Sequence, residues 1–500
     1  MTTTFHSKVQ VQVRFFDELQ NNPDVDVIVL PFWQDDFKPK PIFDKKILGI
    51  PEVVFDPIVL GNFLAKENEL FLVCVKKQRF LLLGLGKKEE LTANKIRASF
   101  SVLSRKAMDL GQEHIAVVIA TSLNKHFKQV SEGIFLANYR FDVYKTVSNK
   151  DVKRTLIKKI DFIGVPKSTG QKEIDYVKNL ASGVFLCRDL VNGNADDVTP
   201  EFLSKVAKSI SDVKTESHSK SWLEKEKMGL VLAVSKGSHN EPRFIIMQYK
   251  GSKNSKDHTV LVGKGITYDT GGLSLKPVTN MIDMKTDMAG AATVIGVLKA
   301  LSLNKVPINV TGIIPCCENA ISATSFKPGD VYTSYSGKTV EITNPDAEGR
   351  LVLADAVAFA NKTYQPNRII DLATLTGAID VALGKHAIGL FSNDDTLAKK
   401  LSTAGDLAGE RTWRLPLFDE YKEPLKSEIA DIKNWGSRSA GAIAAAKFIE
   451  EFVGETPWAH FDIASCAYLE DAPLGHLSRF ATGIGVCLLV DFFWLICHKE

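Results

Sequence analysis

The stretch HTVLVGKGITYDTGGLSLKP, residues 258–277, begins with apolar and β-branched residues and continues into glycines and polar residues. The first part is typical of a buried strand, and the second part of a loop that follows one. The same alternation recurs through the chain after Pro200. Further apolar strands are predicted from GLVLAVS, RFIIMQYK, INVTGIIP and RIIDLAT. Helices are predicted between the strands, from AGAATVIGVLKALS, RLVLADAVAFANK and GAIAAAKFIEEFV.

These predicted elements indicate the fold class. Near-continuous apolar strands between helices are typical of a central, mostly parallel sheet that is covered by helices on both faces. In the N-terminal part, strands are predicted from VDVIVLPF, LFLVCVKKQRFLLLGLG and HIAVVIA, with a helix over 91–110. We therefore predict an α/β protein with a smaller N-terminal α/β domain and a larger C-terminal domain.

A lysine-rich segment, 145–173, separates the two predicted domains. Pro166, Ser168 and Gly170 interrupt it, as expected near a boundary. We predict an N-terminal domain at 1–155, a linker at 156–176 that leads into a long helix, and a C-terminal domain at 177–500. The lysines are interpreted as a solvated surface, since most charge runs are solvated rather than bound to nucleic acid.

Composition limits the class of protein. The 500 residues are 45% hydrophobic and 24% charged, and the net charge of +3 is too small to predict binding to nucleic acid or an anionic membrane. Seven cysteines without a C-x-x-C spacing predict reduced, buried thiols in an intracellular protein. The N-terminus lacks an apolar signal-peptide region. The apolar run 481–497 is short for a membrane span, so we predict a buried helix or strand there and a cytoplasmic protein without a membrane partner.

Two loops are predicted to share one crevice. In sheets of this kind, binding sites lie beyond the carboxyl ends of the strands. The segment Lys264–Pro277 follows the predicted strand HTVLVG, and Asn344–Arg350 follows a second predicted strand, TVEIT. The side chains of these two segments are therefore the first candidates for chemistry.

Asp269 lies in an Asp-Thr-Gly triplet, as the catalytic carboxylates of aspartic proteases do. That chemistry needs two carboxylates that share a proton, and large aspartic proteases carry a second such triplet. No second triplet follows Asp269, and the surrounding elements are α/β. Both observations disfavour an aspartic protease.

The alternative is a metal site. The two loops and the adjoining segment carry several carboxylates: Asp269, Asp283, Asp287, Asp346 and Glu348. Carboxylates that crowd one crevice repel each other, and cations relieve that repulsion. Neither loop contains a histidine, so the set suits Mg²⁺, Mn²⁺ or a carboxylate-bridged pair of zinc ions. On spacing alone, solvated loop acids are an equal alternative.

A family resemblance favours the metal site. The segments VGKGITYDTGGLSLKP, MKTDMAGAATV and TNPDAEGRLVLADA resemble the signature segments of the leucyl aminopeptidase family, the two-metal cytosol aminopeptidases. Further matches extend the resemblance over roughly 180–490: RDLVNGNADDVTPEFL, LATLTGAIDVALG, WRLPLFDEY, ADIKNWG and RSAGAIAAAKFI. The resemblance implies a metal-dependent aminopeptidase. Such an enzyme releases N-terminal amino acids, preferably leucine-like, from peptides through water activated by two divalent ions, Mn²⁺ or Zn²⁺.

The resemblance also implies roles for individual residues. The more exchangeable metal would be bound by Lys264, Asp269, Asp287 and Glu348. The tighter metal would be bound by Asp269, Asp346 and Glu348. Lys276 and Arg350 would be catalytic: Lys276 would stabilise the oxyanion of the tetrahedral intermediate, and Arg350 would hold a bicarbonate that relays the proton of the attacking water. The substrate pocket would be formed by Met284, Asn344, Thr374, Leu375, Gly377, Ala464 and Ala467.

The sequence departs from the family pattern at one position and leaves two alternatives open. The family usually has threonine between the asparagine and aspartate of the segment at 344–350, where this chain has Pro345. The resemblance also implies a homohexamer. One alternative is a two-metal phosphoesterase, because the same ions activate water toward phosphorus. The other is a DNA-binding regulator, with the lysine-rich segment as its only support.

Overall fold

The computed structural model describes residues 9–19, 24–35, 38–43, 50–146 and 155–497. The chain divides into two compact units. Of the described residues, the first comprises those within 9–181 together with 472–478, and the second comprises 182–471 with 479–497. The predicted domain boundaries at 155 and 176 stay predictions. Part of the lysine-rich segment, 147–154, lies outside the described residues.

The first unit is built on one mixed sheet. Its strands are β1 (Gln12–Phe16), β2 (Val27–Asp35), β3 (Lys38–Pro41), β4 (Leu70–Val75), β5 (Gln78–Gly84), β6 (His114–Val118) and β7 (Lys159–Ile163). Its helices are α1 (Pro57–Leu60), α2 (Ala93–Asp109), α3 (Phe127–Ala137) and the first part of α4 (Lys167–Asn192). The sheet order is β1-β7-β6-β2-β5-β4, with β3 antiparallel to β2. Strand β7 and the start of α4 thus occupy residues that were predicted to form the linker.

The second unit is larger. Its strands are β8 (Val213–His218), β9 (Arg243–Lys250), β10 (His258–Gly263), β11 (Gly265–Asp269), β12 (Asn309–Asn319), β13 (Val331–Thr333), β14 (Thr339–Glu341), β15 (Arg368–Ala373), β16 (Ile388–Ser392), β17 (Thr412–Arg414), β18 (Ile432–Lys433), β19 (Trp458–Asp462), β20 (Tyr468–Leu469) and β21 (Phe480–Ala481). Its helices after α4 are α5 (Pro200–Lys208), α6 (Lys220–Lys225), α7 (Gly229–Ser235), α8 (Val278–Met281), α9 (Ala289–Leu303), α10 (Gly349–Tyr364), α11 (Gly377–Leu383), α12 (Asp395–Ala408), α13 (Gly441–Glu450) and α14 (Val486–Cys497).

Short 3₁₀ helices complete the secondary structure: Glu52–Phe55, Lys88–Glu90, Thr121–His126, Met284–Thr286, Gly384–His386 and Asp419–Leu425. The central sheet of the second unit has the order β17-β16-β19-β15-β10-β12-β9-β8, and β11 pairs with β12. Strands β19, β15, β10, β12 and β11 are parallel, so their carboxyl ends meet at one edge.

Helices cover both faces of this sheet. Val260 and Val262 of β10 belong to the apolar core that also contains buried residues of α7, α10 and α13. Gly312 of β12 faces the other way, where an added Cβ would come within 2.7 Å of Val294 and Leu298 of α9. Because successive strand residues alternate between faces, α9 and α10 lie on opposite sides. The predicted α/β fold, with a mostly parallel central sheet covered by helices, is confirmed.

Three predicted elements differ in the structure. The apolar run GLVLAVS, predicted as a strand, is helix α7, because the buried Asp355 carboxylate accepts hydrogen bonds from the first-turn amides of Leu230 and Val231. The segment TVEIT supplies only the short β14, which pairs with β13 and β18 in a separate small sheet. After β10 the chain forms a further strand, β11, before the predicted loop.

The apolar segments at 278–303 and 481–497 are mostly internal. The segment 278–303 has the length and apolar composition of a membrane span, but 89% of its most apolar window is buried inside the protein, as in a core helix. The run 481–497 supplies α14, whose first eight residues are all buried, as predicted. The seven cysteines are free thiols; five are buried, Cys497 is half-buried and Cys74 is exposed.

Candidate metal centre and active site

Lys264 is fixed at the carboxyl end of β10, between β15 and α9. Its backbone N–H donates to the carbonyl of Leu372, and its own carbonyl accepts from the N–H of Ala291. Its side chain then passes the first residue of α10, Gly349. A Cβ on Gly349 would lie 2.5 Å from Lys264 Cε and 2.6 Å from Nζ, so any larger residue would displace the lysine. The glycine therefore lets the lysine reach the N-terminus of α10.

The Lys264 ammonium lies in a sealed inner part of the site. Its Nζ is 2.7 Å from Asp287 Oδ1 and 2.9 Å from Glu348 Oε1, and it donates to the carbonyl of Thr374 at 2.9 Å. Only 3% of the lysine side chain is exposed. Burial alone would lower the pKa of Lys264, but the charges of Asp287, Glu348 and Asp269 raise it above its ordinary value.

Asp269 and Lys276 form the outer part of the site. Asp269 ends β11, and its Oδ1 accepts hydrogen bonds from the N–H of Gly271 and from Asn319 Nδ2, both at 2.8 Å. Its Oδ2 lies 2.8 Å from Lys276 Nζ, which also contacts Asp346 Oδ1. Lys276 is 15% exposed, so this cation borders the open side of the site whereas Lys264 does not. Its pKa is also raised, because three carboxylates outweigh the effect of its burial.

The carboxylates converge as the sequence predicts. Oxygens of Asp269, Asp346 and Glu348 all lie within 4.8 Å of one another, although the three residues come from two separate segments. Asp287 joins them through Lys264. Burial is the largest cause that raises the pKa of Asp269, Asp287 and Asp346, and the neighbouring carboxylates add to it. The alternative of solvated loop acids therefore does not describe Asp269, Asp287 and Glu348, which are buried.

The donor set fits divalent cations. Four carboxylates face only two ammonium groups, which leaves a net negative charge in a buried crevice. Asp287 Oδ2 and Glu348 Oε2 are buried, and neither has a hydrogen-bond partner among the described residues. Buried unpartnered carboxylate oxygens are costly, and a cation would satisfy them. Oxygen-rich sets of this kind suit Mn²⁺ or Mg²⁺, and bridging carboxylates suit a zinc pair.

Arg350 lies behind the carboxylates in the first turn of α10. It is buried, and its NH1 donates to the carbonyl of Asn434 at 2.9 Å. Its Nε has no hydrogen-bond partner among the described residues. Burial lowers the pKa of Arg350 to about 10, and Glu348 and Asp462 oppose that shift.

Known proteins with similar sequences identify the family. The family model of the catalytic domain of the cytosol aminopeptidase family matches residues 185–490, and that of its N-terminal domain matches 61–148. A probable cytosol aminopeptidase of Protochlamydia amoebophila (strain UWE25) is 44% identical over 487 residues, 95% of this chain and 97% of that protein. Another, from Chlamydia caviae, is 43% identical and covers 98% of both chains. The chain belongs to the cytosol aminopeptidase family.

Two solved structures agree with the assignment to the cytosol aminopeptidase family. A mutant of tomato leucine aminopeptidase matches with a TM-score of 0.86 at 30% identity, over 98% of both chains. Bottromycin maturation enzyme BotP in complex with Mn matches with a TM-score of 0.83 at 29% identity, over 95% of this chain and 100% of that one. The predicted class, a leucyl aminopeptidase-type metallo-exopeptidase, is confirmed, and the phosphoesterase alternative gains no support.

Two residues predicted to line the substrate pocket of this cytosol aminopeptidase family member, Thr374 and Asn344, are hydrogen-bonded to residues of the carboxylate cluster. Thr374 touches the cluster directly, because its hydroxyl donates to Asp287 Oδ1 at 2.7 Å. Asn344 Oδ1 accepts from the N–H of Asp346 at 2.9 Å. Met284 begins a 3₁₀ helix that packs against β11. A Cβ on Gly377 would meet no atom within 4 Å, so the start of α11 borders open space.

Asp462 holds the remaining predicted pocket residues together. This buried carboxylate ends β19 and accepts hydrogen bonds from the N–H groups of Leu375 and Ala464 at 3.1 and 3.3 Å, and from the Thr376 hydroxyl at 2.7 Å. Ala467 follows within the same turn, with its N–H bonded to the carbonyl of Ile463. Asp283, in contrast, pairs with Glu470, and burial and that pairing raise its pKa to about 6.

Three polar residues of the site were not singled out from the sequence. Asn319 ends β12 and Asp462 ends β19, so the rule of carboxyl strand ends that led to Lys264 also applies to both. Asn434 lies in the segment ADIKNWG, and its amide donates to the carbonyls of Asn344 and Ala347. All three position neighbouring loops or side chains, a role that leaves little chemical signature in the sequence.

Proposed function

We propose that this member of the cytosol aminopeptidase family releases N-terminal amino acids, preferably leucine-like, from peptides, with two divalent cations bound by the buried carboxylates. The observation that carries the proposal is the convergence of four carboxylates and two lysines at one end of the central sheet. The two buried carboxylate oxygens without partners support a cation site independently of any resemblance.

The carboxylates and Lys264 would supply the ligands for two cations. Asp269, Asp346 and Glu348 would hold the tighter ion, and Asp269 and Glu348 would bridge to the second. Asp287 and Lys264 would complete the second site, with Lys264 as a neutral amine. When bound, the two cations lower the pKa of water, polarise the peptide carbonyl and accept the free amine of the substrate. The bound Mn of BotP supports Mn²⁺ as one of the ions.

Lys276 and Arg350 would act on the substrate and on the proton. Lys276 is the more exposed of the two site lysines, and its ammonium would stabilise the negative oxygen that develops on the scissile carbonyl. Arg350 Nε has no hydrogen-bond partner in the part of the chain that the structure describes, and its guanidinium would hold a bicarbonate that takes the proton of the attacking water. Asn434 would keep Arg350 in place through its carbonyl.

The pocket residues would limit the substrate. The segments at 374–377 and 464–467 are joined through Asp462. Together with Met284, their leucine and alanine side chains would form an apolar lining beside the carboxylates. Such a lining suits an aliphatic side chain, and a requirement for a free amine restricts cleavage to the first residue. Asn344 would shape the entrance of the substrate pocket, because its Oδ1 accepts a hydrogen bond from the N–H of Asp346.

We also propose a cytoplasmic location and a homohexamer, by resemblance to the family. The names of the curated relatives, cytosol aminopeptidases, support the location. Size-exclusion chromatography with light scattering tests the assembly, because a hexamer would have six times the chain mass of 55.1 kDa.

The test of the proposed activity is hydrolysis of a leucyl anilide before and after EDTA treatment, followed by addition of Mn²⁺, Zn²⁺ or Mg²⁺. We expect activity to disappear with EDTA and to return with Mn²⁺ or Zn²⁺. An N-acetylated leucyl anilide is the matched control substrate, because it lacks the free amine. Equal hydrolysis of both substrates, or full activity in EDTA, would contradict the proposal.

A further inference from the structure

Asn319 donates hydrogen bonds from one neutral side chain to both of the segments proposed to bind cations. It ends β12, its exposed fraction is 0%, and its Nδ2 donates to Asp269 Oδ1 at 2.8 Å and to the carbonyl of Pro345 at 3.1 Å. Asp269 belongs to the segment after β10, and Pro345 precedes Asp346 in the other segment. One amide group therefore joins the two segments whose carboxylates converge.

The backbone of Asn319 strengthens the same link. Its carbonyl accepts from the N–H of Thr270 at 2.9 Å and from the Thr270 hydroxyl at 3.0 Å. Asn319 also pairs with Asp269 in the register of β12 and β11, just after an irregularity in that pairing. Thr270, the residue after the proposed bridging ligand Asp269, is thus hydrogen-bonded to Asn319 as well.

The hydrogen bonds of Asp269 are divided between its two oxygens. Oδ1 accepts from the N–H of Gly271 and from Asn319 Nδ2, whereas Oδ2 faces the Lys276 ammonium. Neutral donors in fixed positions hold one oxygen and leave the other directed toward the charged cluster. Without Asn319, a single backbone donor would remain on Oδ1, and rotation of the carboxylate would be less restricted.

The amide is oriented at some energetic cost. Asn319 Oδ1 is buried and has no hydrogen-bond partner among the described residues. It lies beside Gly272, where an added Cβ would approach it to 2.9 Å. A reversed amide would place Oδ1 against Asp269 Oδ1 and the Pro345 carbonyl, two oxygens that cannot donate. An unpaired buried acceptor is unfavourable, so the two donations of Nδ2 decide the orientation of the amide.

We propose that Asn319 is a positioning residue for the metal centre, which fixes the Asp269 carboxylate and the Pro345–Asp346 segment in a single arrangement able to bind two cations. The inference rests on the proposed function. It also accounts for the tolerance of Pro345, because this link uses the carbonyl of residue 345 and not the N–H that proline lacks.

The test is Mn²⁺ binding to cation-free protein, with free Mn²⁺ measured by electron paramagnetic resonance. Asn319→Leu keeps much of the volume and removes both donations, and Asn319→Ala removes them without adding bulk. Asn309→Ala is the matched control, because Asn309 begins the same strand and its Nδ2 also donates to a backbone carbonyl, that of Ser255. Substitution of a residue that orients a metal ligand typically weakens metal binding by about 10- to 100-fold.

We expect both Asn319 variants to bind Mn²⁺ about 10- to 100-fold more weakly than the parent. The Asn309 variant should match the parent, and cation-free unfolding temperatures should stay similar. Activity of the Asn319 variants should rise with added Mn²⁺ at unchanged KM. Parent-like Mn²⁺ affinity in either well-folded Asn319 variant would overturn the role of Asn319 and leave the proposed function standing. Loss of folding in both variants also overturns it, by assigning Asn319 to stability. Failure of the parent to bind Mn²⁺ would refute the proposed function as well.

Discussion

Helix α10 carries two buried carboxylates that differ in their partners. Asp355, inside the helix, accepts hydrogen bonds from the backbone N–H groups of Leu230, Val231 and Tyr335 at 2.7–3.0 Å. Glu348, at the N-terminal end, has no backbone donor on its side chain; its Oε1 contacts the Lys264 ammonium and its Oε2 has no partner among the described residues. Both side chains are almost fully buried, at 0% and 1% exposed.

The difference separates a structural carboxylate from a binding one. Fixed neutral donors satisfy Asp355 within the fold, so it needs nothing further. Glu348 is held by a side-chain cation and keeps one oxygen free, in a crevice that contains more carboxylates than ammonium groups. Burial is therefore a poor guide to function by itself, whereas an unsatisfied buried oxygen within a cluster of several carboxylates indicates a binding site.

Glu348→Gln should produce the largest effect. The amide keeps the shape of the side chain but removes a charge that both proposed cation sites share. Loss of the cations would remove several kcal/mol of transition-state stabilisation, so we expect kcat/KM to fall on the order of 10³-fold. Metal analysis should find fewer than two ions per chain, with little change in the unfolding temperature of cation-free protein. Two tightly held ions at normal turnover would remove Glu348 from the ligand set.

Lys264→Arg should affect the second cation. A lysine amine binds a cation only after losing its proton, whereas a guanidinium stays protonated and offers no lone pair. We expect one tight ion, a second bound on the order of 10²- to 10³-fold more weakly, and slow turnover at every pH. The matched control is Lys447→Arg, another buried lysine that bonds to a carbonyl and to carboxylates, outside the site. If both variants retain two ions, Lys264 is not a ligand.

The pH dependence of cation binding follows from the same groups. The raised pKa values of Lys264, Asp269, Asp287 and Asp346 mean that protons compete with cations over a wide pH range. Cation affinity should therefore fall as pH falls, so we expect an alkaline optimum of activity. On acidification, the second ion, held by Lys264 and Asp287, should be lost before the first. Metal content measured after gel filtration at several pH values tests this order. Simultaneous loss of both ions would contradict it.

Lys276→Ala should have a smaller and different effect. The side chain contacts the carboxylates from the more exposed side, where the proposal places the reacting carbonyl. We expect the variant to keep both ions and an unchanged KM. The activation free energy should rise by about 3 kcal/mol, which lowers kcat roughly 10²-fold. Lys276→Arg keeps the charge and should recover part of the loss. Lost ions together with a raised KM would instead show that Lys276 supports the carboxylates.

Much of this site follows from the sequence because its chemistry depends on residue types in two short segments. Charged residues just beyond apolar strands predicted that the loops of Asp269 and Glu348 share a crevice. Spacing alone left solvated acids as an equal alternative, and the ligand role of Lys264 was implied only by the family resemblance. Asn319 and Asp462 also end strands, but neutral or capping side chains end many strands without a functional role. Their contribution depends on which loops meet in space, and one sequence does not contain that information.

The fold was predicted at the level of layers and less well at the level of single elements. The apolar run GLVLAVS fits a strand or a buried helix equally well by periodicity. Its helical form depends on Asp355, more than a hundred residues later in the chain, which caps the first turn of α7. TVEIT was correctly predicted as extended, yet its membership of a side sheet depends on β13 and β18, which have only three and two residues.

Asp355→Asn should change stability and leave the chemistry intact, the converse of Glu348→Gln on the same helix. Asparagine keeps one acceptor oxygen but turns its NH₂ group toward backbone donors. We therefore expect the free energy of unfolding to fall by about 2 kcal/mol, with cation content and kcat unchanged.

Burial raises the pKa of Asp355 to about 7 in the folded protein, against about 4 in an unfolded chain. The folded state thus holds the proton more tightly, and the stability contributed by this carboxyl is lost as pH rises from about 4 through 7. The gap in unfolding temperature between parent and variant should therefore be widest at about pH 4 and below, and it should narrow as pH rises toward 8. A variant with parent-like stability at pH 5 but reduced cation binding would mean that Asp355 belongs to the site, and the contrast between the two carboxylates of α10 would fail.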